Sequence, residues 1–238
     1  MKKYRVVAIA ILICTVLVEA TCNGKNETVE VPATASYRDT ALPVEERVED
    51  LLSRMTLKEK VAQMAQAVIY RASPQDTKTW ALGSILSGGG DHPRSGISAK
   101  DWLDHCNEYQ KAAISTRLGI PLLYGIDSVH GCAKMGGATV FPHNIGLGAA
   151  NDPELVERIG RITATETAAG GIHWNFSPCI AVSRDERWGR AYESYSESPG
   201  IVARLGSAYV RGHEAGRLSD RETIASCPKH YFADGGAE

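Results

Sequence analysis

Pro121-Leu-Leu-Tyr-Gly-Ile-Asp127-Ser-Val-His130-Gly131 carries a short apolar run, Leu122 to Ile126, straight into an acid and a histidine. An apolar run of this length bounded by turn residues reads as a buried strand. The same unit recurs along the chain. Leu82 to Ser87 is a strand ending in Gly88-Gly89-Gly90, and Ser98 then caps a helix whose Trp102, Cys106, Tyr109 and Ala113 form one stripe. After Ile126 comes a long glycine-rich connection. Asp152-Pro153-Glu154 then opens a helix, with Leu155, Ile159 and Ile162 inward and Gly170 at its end. Ile172 to Ser177 alternates, placing Ile172, Trp174 and Phe176 on one face and His173 and Asn175 on the other. Ser198-Pro199 starts a helix with Val202, Leu205, Tyr209 and Gly212 at helical spacing, ending near Gly216, and Ile224 to Tyr231 is the fourth strand. Regular alternation of strand and helix predicts an α/β fold with a parallel sheet, because parallel neighbours need crossover connections.

Two helices precede these units. Pro43 to Met55 has Val44, Val48, Leu51, Leu52 and Met55 at helical spacing, and Thr56-Leu-Lys-Glu59 is a capping box opening a second helix through Val61, Met64 and Val68. Before them, Lys2, Lys3 and Arg5 precede the apolar run Val6 to Val18 and the small-residue site at Ala20, the order of a secretory signal peptide. Residues 1–20 are therefore assigned as signal and 21–42 as a polar linker. The protein is expected to be exported, periplasmic or extracellular. Cys22 opens the alternative of a lipoprotein anchored to the membrane through its thiol, although Glu19 and Thr21 fit a lipobox poorly.

Composition narrows the chemistry. The chain has 238 residues, 26 Lys and Arg against 28 Asp and Glu, and a net charge of -2. No basic excess offers a phosphate-neutralising surface, so nucleic acid is not an expected partner. After the signal, Cys22, Cys106, Cys132, Cys179 and Cys227 remain, without C-x-x-C spacing. Most read as small buried hydrophobes, with one disulfide left open. The seven histidines lack a ligand spacing such as H-E-x-x-H, so no metal is expected. Gly146-Leu-Gly148-Ala-Ala-Asn151 misses the dinucleotide fingerprint at its third position, and no cofactor is called for. Cys227 and His230, three apart on a strand, point to opposite faces and do not make a thiolate pair.

In α/β folds of this kind the ligand site lies beyond the carboxyl ends of the strands. Asp127 and His130 follow one strand there. Arg184, Asp185, Arg187, Arg190 and Glu193 follow the next, and Lys229, His230 and Asp234 the last. Taken alone, Asp127 reads more readily as a turn cap, and the sign-alternating run around Arg190 as a solvated ion-pair network. Lys229 and His230 are harder to dismiss at a strand end, since a lysine is seldom buried without a partner.

These loops do resemble a family. The run from Pro121 to Gly131, Val140-Phe-Pro-His-Asn-Ile-Gly-Leu-Gly148, Arg184-Asp-Glu-Arg-Trp-Gly-Arg-Ala-Tyr-Glu-Ser-Tyr195 and Cys227-Pro-Lys-His-Tyr-Phe-Ala-Asp-Gly-Gly236 are similar to the amino-terminal domain of glycoside hydrolase family 3. Arg47 to Val61 is similar to that family's first helices, and the likeness runs from about residue 43 to residue 238. It implies a TIM-type (β/α)8 barrel and hydrolysis, with retention, of terminal non-reducing β-D-glucosyl residues of β-glucosides or β-glucans. Asp127, Arg190, Lys229 and His230 match the residues that hold the sugar in the family's first subsite. The second histidine of hexosaminidase-type members is replaced by Asp234, which favours a glucosidase, with β-xylosidase or another exo-glycosidase next.

The family's nucleophilic aspartate lies on a later barrel strand and its acid/base glutamate usually in a following domain. A barrel of this type takes roughly 250 residues. Setting aside residues 1–42 and the two lead-in helices leaves room for about four of the eight strand-helix units. The expectation is therefore the amino-terminal part of a barrel domain over residues 43–238, incomplete, with no catalytic residue of its own and inactive in isolation. The alternative is a noncatalytic sugar-binding or decayed protein.

Overall fold

The computed structural model describes residues 30–231 and residue 234, so the signal sequence and Cys22 lie outside the described residues. The chain divides into two units, Met1–Lys58 and Glu59–Glu238. In the first, a 3-10 turn at Ser36–Arg38 is tied to helix α1 (Val44–Arg54) through Asp50. The Asp50 carboxylate accepts from Tyr37 N at 3.0 Å and from Arg54 Nη2 at 2.7 Å. The apolar stripe expected for this helix does form a helix, but none of its residues is buried, and Val44 is 63% exposed.

In the second unit five parallel strands lie side by side in chain order: β1 (Gln66–Val68), β2 (Ser84–Ser87), β3 (Leu123–Ile126), β4 (Trp174–Asn175) and β5 (Ala225–Ser226). A doubly wound sheet reverses its order at a switch point, whereas a (β/α)8 barrel adds each strand beside the last. The sequential order is that of the barrel. Helix α2 (Leu57–Gln63) crosses the boundary into this unit. The remaining helices among the described residues are α3 (Pro74–Trp80), α4 (Ala99–Ile114), α5 (Asn144–Ala150), α6 (Pro153–Ala169) and α7 (Pro199–Glu214).

The strand β1 corrects the expected helix through Val68, and the described residues hold five strands rather than four. Apolar spacing continues past Gln63 without a breaker, so local pattern favours more helix. Tertiary pairing decides otherwise: Gly83 N donates to Ala62 O at 3.0 Å, and Ala67 then registers with Ile85. Gly83 permits this approach, since a Cβ there would lie 2.1 Å from Gln63 O. Helix α3 had a readable start in Ser73-Pro-Gln-Asp76. Ser73 and Asp76 form a full capping box, as Ser98 and Asp101 do for α4. The strand expected over Ile224 to Tyr231 shortens to Ala225–Ser226 with a separate bridge from Cys179 to Lys229, and Tyr231 is 92% exposed.

Two apolar clusters form the core, one of them against the sheet. Ile85, Tyr124 and Ile126 pack on Trp102, Cys106 and Tyr109 of α4, and Leu147 of α5 packs with Val156 and Ile159 of α6 and Val202, Leu205 and Tyr209 of α7. The inward side of α6 is Val156, Ile159, Gly160, Thr163, Ala164 and Thr167; the expected Ile162 is instead 40% exposed. Where α6 meets α7 the backbones nearly touch. A Cβ on Gly212 would lie 2.1 Å from Glu157 O and 2.8 Å from Arg161 N. Overpacking of this kind costs about 1–3 kcal/mol. Gly212→Ala is therefore expected to destabilise the chain by that amount, read as a lower urea midpoint at unchanged m-value. An unchanged midpoint rejects this close approach.

The near-miss glycine motif has a structural use. Gly148 sits in α5, and a Cβ there would lie 1.6 Å from Tyr195 O. The glycine seats the helix against the loop that carries Arg190.

Candidate active site at the carboxyl ends of the strands

Asp127 is the first residue beyond β3, and Lys229 lies beyond β5. Lys229 Nζ donates to Asp127 Oδ1 at 2.7 Å across 102 residues of sequence, with side chains only 13% and 29% exposed. The backbone around Lys229 is held by two bonds, Lys229 N to Pro178 O at 2.9 Å and Ile180 N to Lys229 O at 2.7 Å. Lys134 is a cation that sequence reasoning missed. Its Nζ donates to Ser87 O at 3.0 Å, at the end of β2. Burial pulls its pKa down, while the charges of Asp127 and Asp91 hold it up. Nothing in the sequence marked Lys134, because it sits in the irregular loop after β3.

Arg190 forms the second pair. Its Nε and Nη2 hold the Glu193 carboxylate at 2.5 and 2.7 Å, and Nη1 donates to His230 Nε2 at 3.2 Å. A guanidinium is donor only, so Nε2 accepts and the His230 proton lies on Nδ1, which faces the Asp234 carboxylate. The Arg190 guanidinium holds the Glu193 carboxyl below the usual carboxylate range. The ion-pair reading of this run holds for both arginines: Arg187 pairs with Asp185 at the surface, 87% and 43% exposed, and Arg190, 40% exposed, pairs with Glu193. Glu193 turns inward, at 10% exposure.

Rings pack beside these loops. His130 and His143 lie tilted against each other with centroids 4.1 Å apart, and Tyr192 meets His143 edge-on at 4.7 Å. Asn144 Nδ2 donates to Glu193 O at 2.8 Å, which ties the first residue of α5 to the turn after Arg190. The roles of His143 and Tyr192 were not marked in the sequence. Their signal was only that they fall within the segments flanking Asp127 and Arg190.

Cys179, His230 and Asp234 bring one potential ligand atom each within 4.8 Å of the others. Two facts weigh against a metal there. Burial pushes the Cys179 thiol up, away from the thiolate a metal needs, and both His230 nitrogens already have partners. The four described cysteines, Cys106, Cys132, Cys179 and Cys227, are free thiols.

All four residues expected to hold a ligand thus converge, as the pairs Asp127–Lys229 and Arg190–His230, at the end of a sheet wound like a (β/α)8 barrel. Fold and site together define an α/β protein of barrel type that gathers paired charged side chains beyond the carboxyl ends of its strands. Residues 56–238 match the family model described as Glycosyl hydrolase family 3 N terminal domain, and the chain belongs to this family. It is 34% identical over 207 residues to lysosomal beta glucosidase of Dictyostelium discoideum, covering 78% of this chain and 25% of that protein. With periplasmic beta-glucosidase of Salmonella typhimurium it shares 31% over 196 residues, covering 80% and 24%.

Among solved structures, exo-1,3/1,4-beta-glucanase from a Pseudoalteromonas species aligns with a TM-score of 0.77 at 40% identity, covering 89% of this chain and 26% of that one. Beta-glucosidase from Listeria innocua in complex with glucose aligns at 0.67 and 34%, covering 82% and 28%. The chain spans about a quarter of the length of the curated relatives it matches.

Proposed function

We propose that this chain supplies the sugar-holding part of a retaining β-glucosidase or exo-β-glucanase site, with Asp127, Arg190, Lys229 and His230 on the terminal β-D-glucosyl ring. The observation that carries the reading is the convergence of these four side chains from three strand ends. A carboxylate accepts from two adjacent hydroxyls, and Lys and Arg donate charge-assisted bonds to others. The Asp127–Lys229 and Arg190–Glu193 pairs hold these groups in place before a sugar arrives, so little reorganisation is needed on binding. A ring fixed on several hydroxyls makes binding energy available for distortion toward an oxocarbenium-like state. The nucleophilic and acid/base carboxyls belong, on this reading, to other elements of the site, as the family resemblance implies.

Residues 1–20 act as an export signal on the same proposal, which the periplasmic relatives of this family support. Retention by a lipid on Cys22 is the alternative.

Glucose or laminaribiose titration of the purified chain, followed by tryptophan fluorescence, tests the binding role. Saturable binding is expected, weakened about tenfold by Asp127→Asn, which loses a charge-assisted contact. A folded far-UV spectrum without any binding rejects the proposal and leaves the chain without a sugar site.

A further inference from the structure

The residues behind Asp127 form a buried polar network that no apolar core requires. Asn175 of β4 is fully buried and its side chain meets His213 of α7. Its Oδ1 accepts from Ser128 N at 2.8 Å, and its Nδ2 donates to Ser128 O at 2.9 Å. The side-chain amide thus pairs with one residue's backbone as a neighbouring strand would. It continues the β3–β4 pairing past the point where the strands separate, since Phe176 N already donates to Ile126 O at 2.8 Å. Asp127 lies between Ile126 and Ser128 and is pinned on both sides.

The second Nδ2 hydrogen points to His213 Nε2 at 3.4 Å, and His213 Nδ1 lies 3.3 Å from Ser226 Oγ on β5. Ser128 and His213 are both 0% exposed. Because an amide nitrogen only donates, His213 Nε2 accepts and its proton sits on Nδ1 toward Ser226. Every hydrogen-bonding atom of Asn175 is used, and the amide is held in one orientation. One chain of contacts, Ser128–Asn175–His213–Ser226, therefore links the strand end bearing Asp127 to the strand that leads to Lys229.

We propose that Asn175 is a positioning residue for Asp127, oriented by His213, and that it sets the Asp127–Lys229 pair from behind the sheet. The consequence for sugar binding rests on the reading of Asp127 given above; the effect on the pair does not. A polar group at this position costs stability unless every bond is made, which is a reason to find it only where position matters.

Competitive acetylation of the purified chain with limiting reagent, read for each lysine by mass spectrometry, tests the proposal. In Asn175→Ala the reactivity of Lys229 is expected to rise roughly tenfold, as expected for one or two lost hydrogen bonds. Lys134, whose hydrogen bond goes to Ser87 O and which feels Asp127 only through its charge, changes much less, and the exposed Lys100 stays unchanged. Asn175→Asp keeps the acceptor for Ser128 N but sets a carboxylate oxygen against the Ser128 carbonyl, and gives the same direction.

Equal increases at Lys229 and Lys134 mean general loosening and overturn the proposal, as does no increase at Lys229. Hydrogen exchange of the unsubstituted chain needs no variant: the Ser128 amide is expected to be strongly protected, and fast exchange there also overturns it. Glucose affinity falls in parallel with the rise at Lys229. If the unsubstituted chain binds no glucose while Lys229 alone responds to Asn175→Ala, the sugar reading fails and the positioning role stands.

Discussion

Arg190→Ala is expected to weaken glucose binding by on the order of 10²-fold, about 2.7 kcal/mol, a loss within the range for charge-assisted hydrogen bonds. Three contacts go at once. The Nε and Nη2 arms leave the Glu193 carboxylate, Nη1 leaves His230, and any sugar hydroxyl held by the fork loses its donor. Glu193, at 10% exposure, then keeps a charge with no guanidinium beside it. Arg190→Lys separates charge from geometry, because an ammonium cannot hold a carboxylate with two parallel bonds. It is expected to recover only a small part of the affinity. Isothermal titration with glucose reads both variants, and an unchanged dissociation constant returns Arg190 to a purely structural role.

The same substitution has a pH signature. Arg190 lowers the Glu193 pKa in the folded protein, so this pair's contribution to stability is complete above the unfolded carboxylate pKa and is lost as pH falls through the lower folded value. Without Arg190 this acid-dependent loss is expected to disappear, because burial, which opposes the guanidinium, then raises the Glu193 pKa and protonation no longer costs stability.

The alternation of strands and helices was legible because each unit carries its own punctuation. Ser98, Asp152 and Ser198-Pro199 mark starts, and helices α4, α6 and α7 begin there. Gly170 and Gly216 mark ends. What local pattern missed is set by partners distant in sequence. Gln66–Val68 is a strand because β2 pairs with it, and no local feature distinguishes it from the helix before it. The faces of β4 were also misleading. Alternation places Trp174 and Phe176 together, yet both are half-buried over Gly125, while polar Asn175 on the opposite face is completely buried. An apolar-in, polar-out rule fails there because a hydrogen-bond network fills the space beneath α7.

The four residues proposed to hold the sugar were singled out through the family resemblance, and their placement at strand ends followed from the architecture. Their pairing was not legible, since Asp127 and Lys229 are brought together only by the sheet. Lys134 and His143 reach the site from loops, where neither periodicity nor spacing points.

His213 gives the largest expected effect on stability. Burial pulls its pKa from about 6.5 to about 3, and both ring nitrogens are engaged in the neutral form. Protonation would set a second ring N–H against the Asn175 amide donor. Between these two values the unfolded chain binds a proton at this residue that the native chain does not. Stability therefore falls as pH falls, by about 1.4 kcal/mol per pH unit, with no contribution from this group above its unfolded pKa. Across the window the loss is on the order of 4–5 kcal/mol, comparable with the lower end of whole-domain stability.

Urea titrations between about pH 4 and 6 are expected to show this slope. His213→Gln, which cannot titrate, is expected to remove it while lowering stability at neutral pH. Parallel slopes in the two proteins reject the assignment, because the carboxylates and remaining histidines are common to both. Since the native network cannot take up the proton in place, entry of the proton requires the Asn175 contact to open. Loss of glucose binding below about pH 5 is therefore expected to track unfolding of this network and to shift to lower pH when glucose is present, since a ligand that binds only the native state stabilises it.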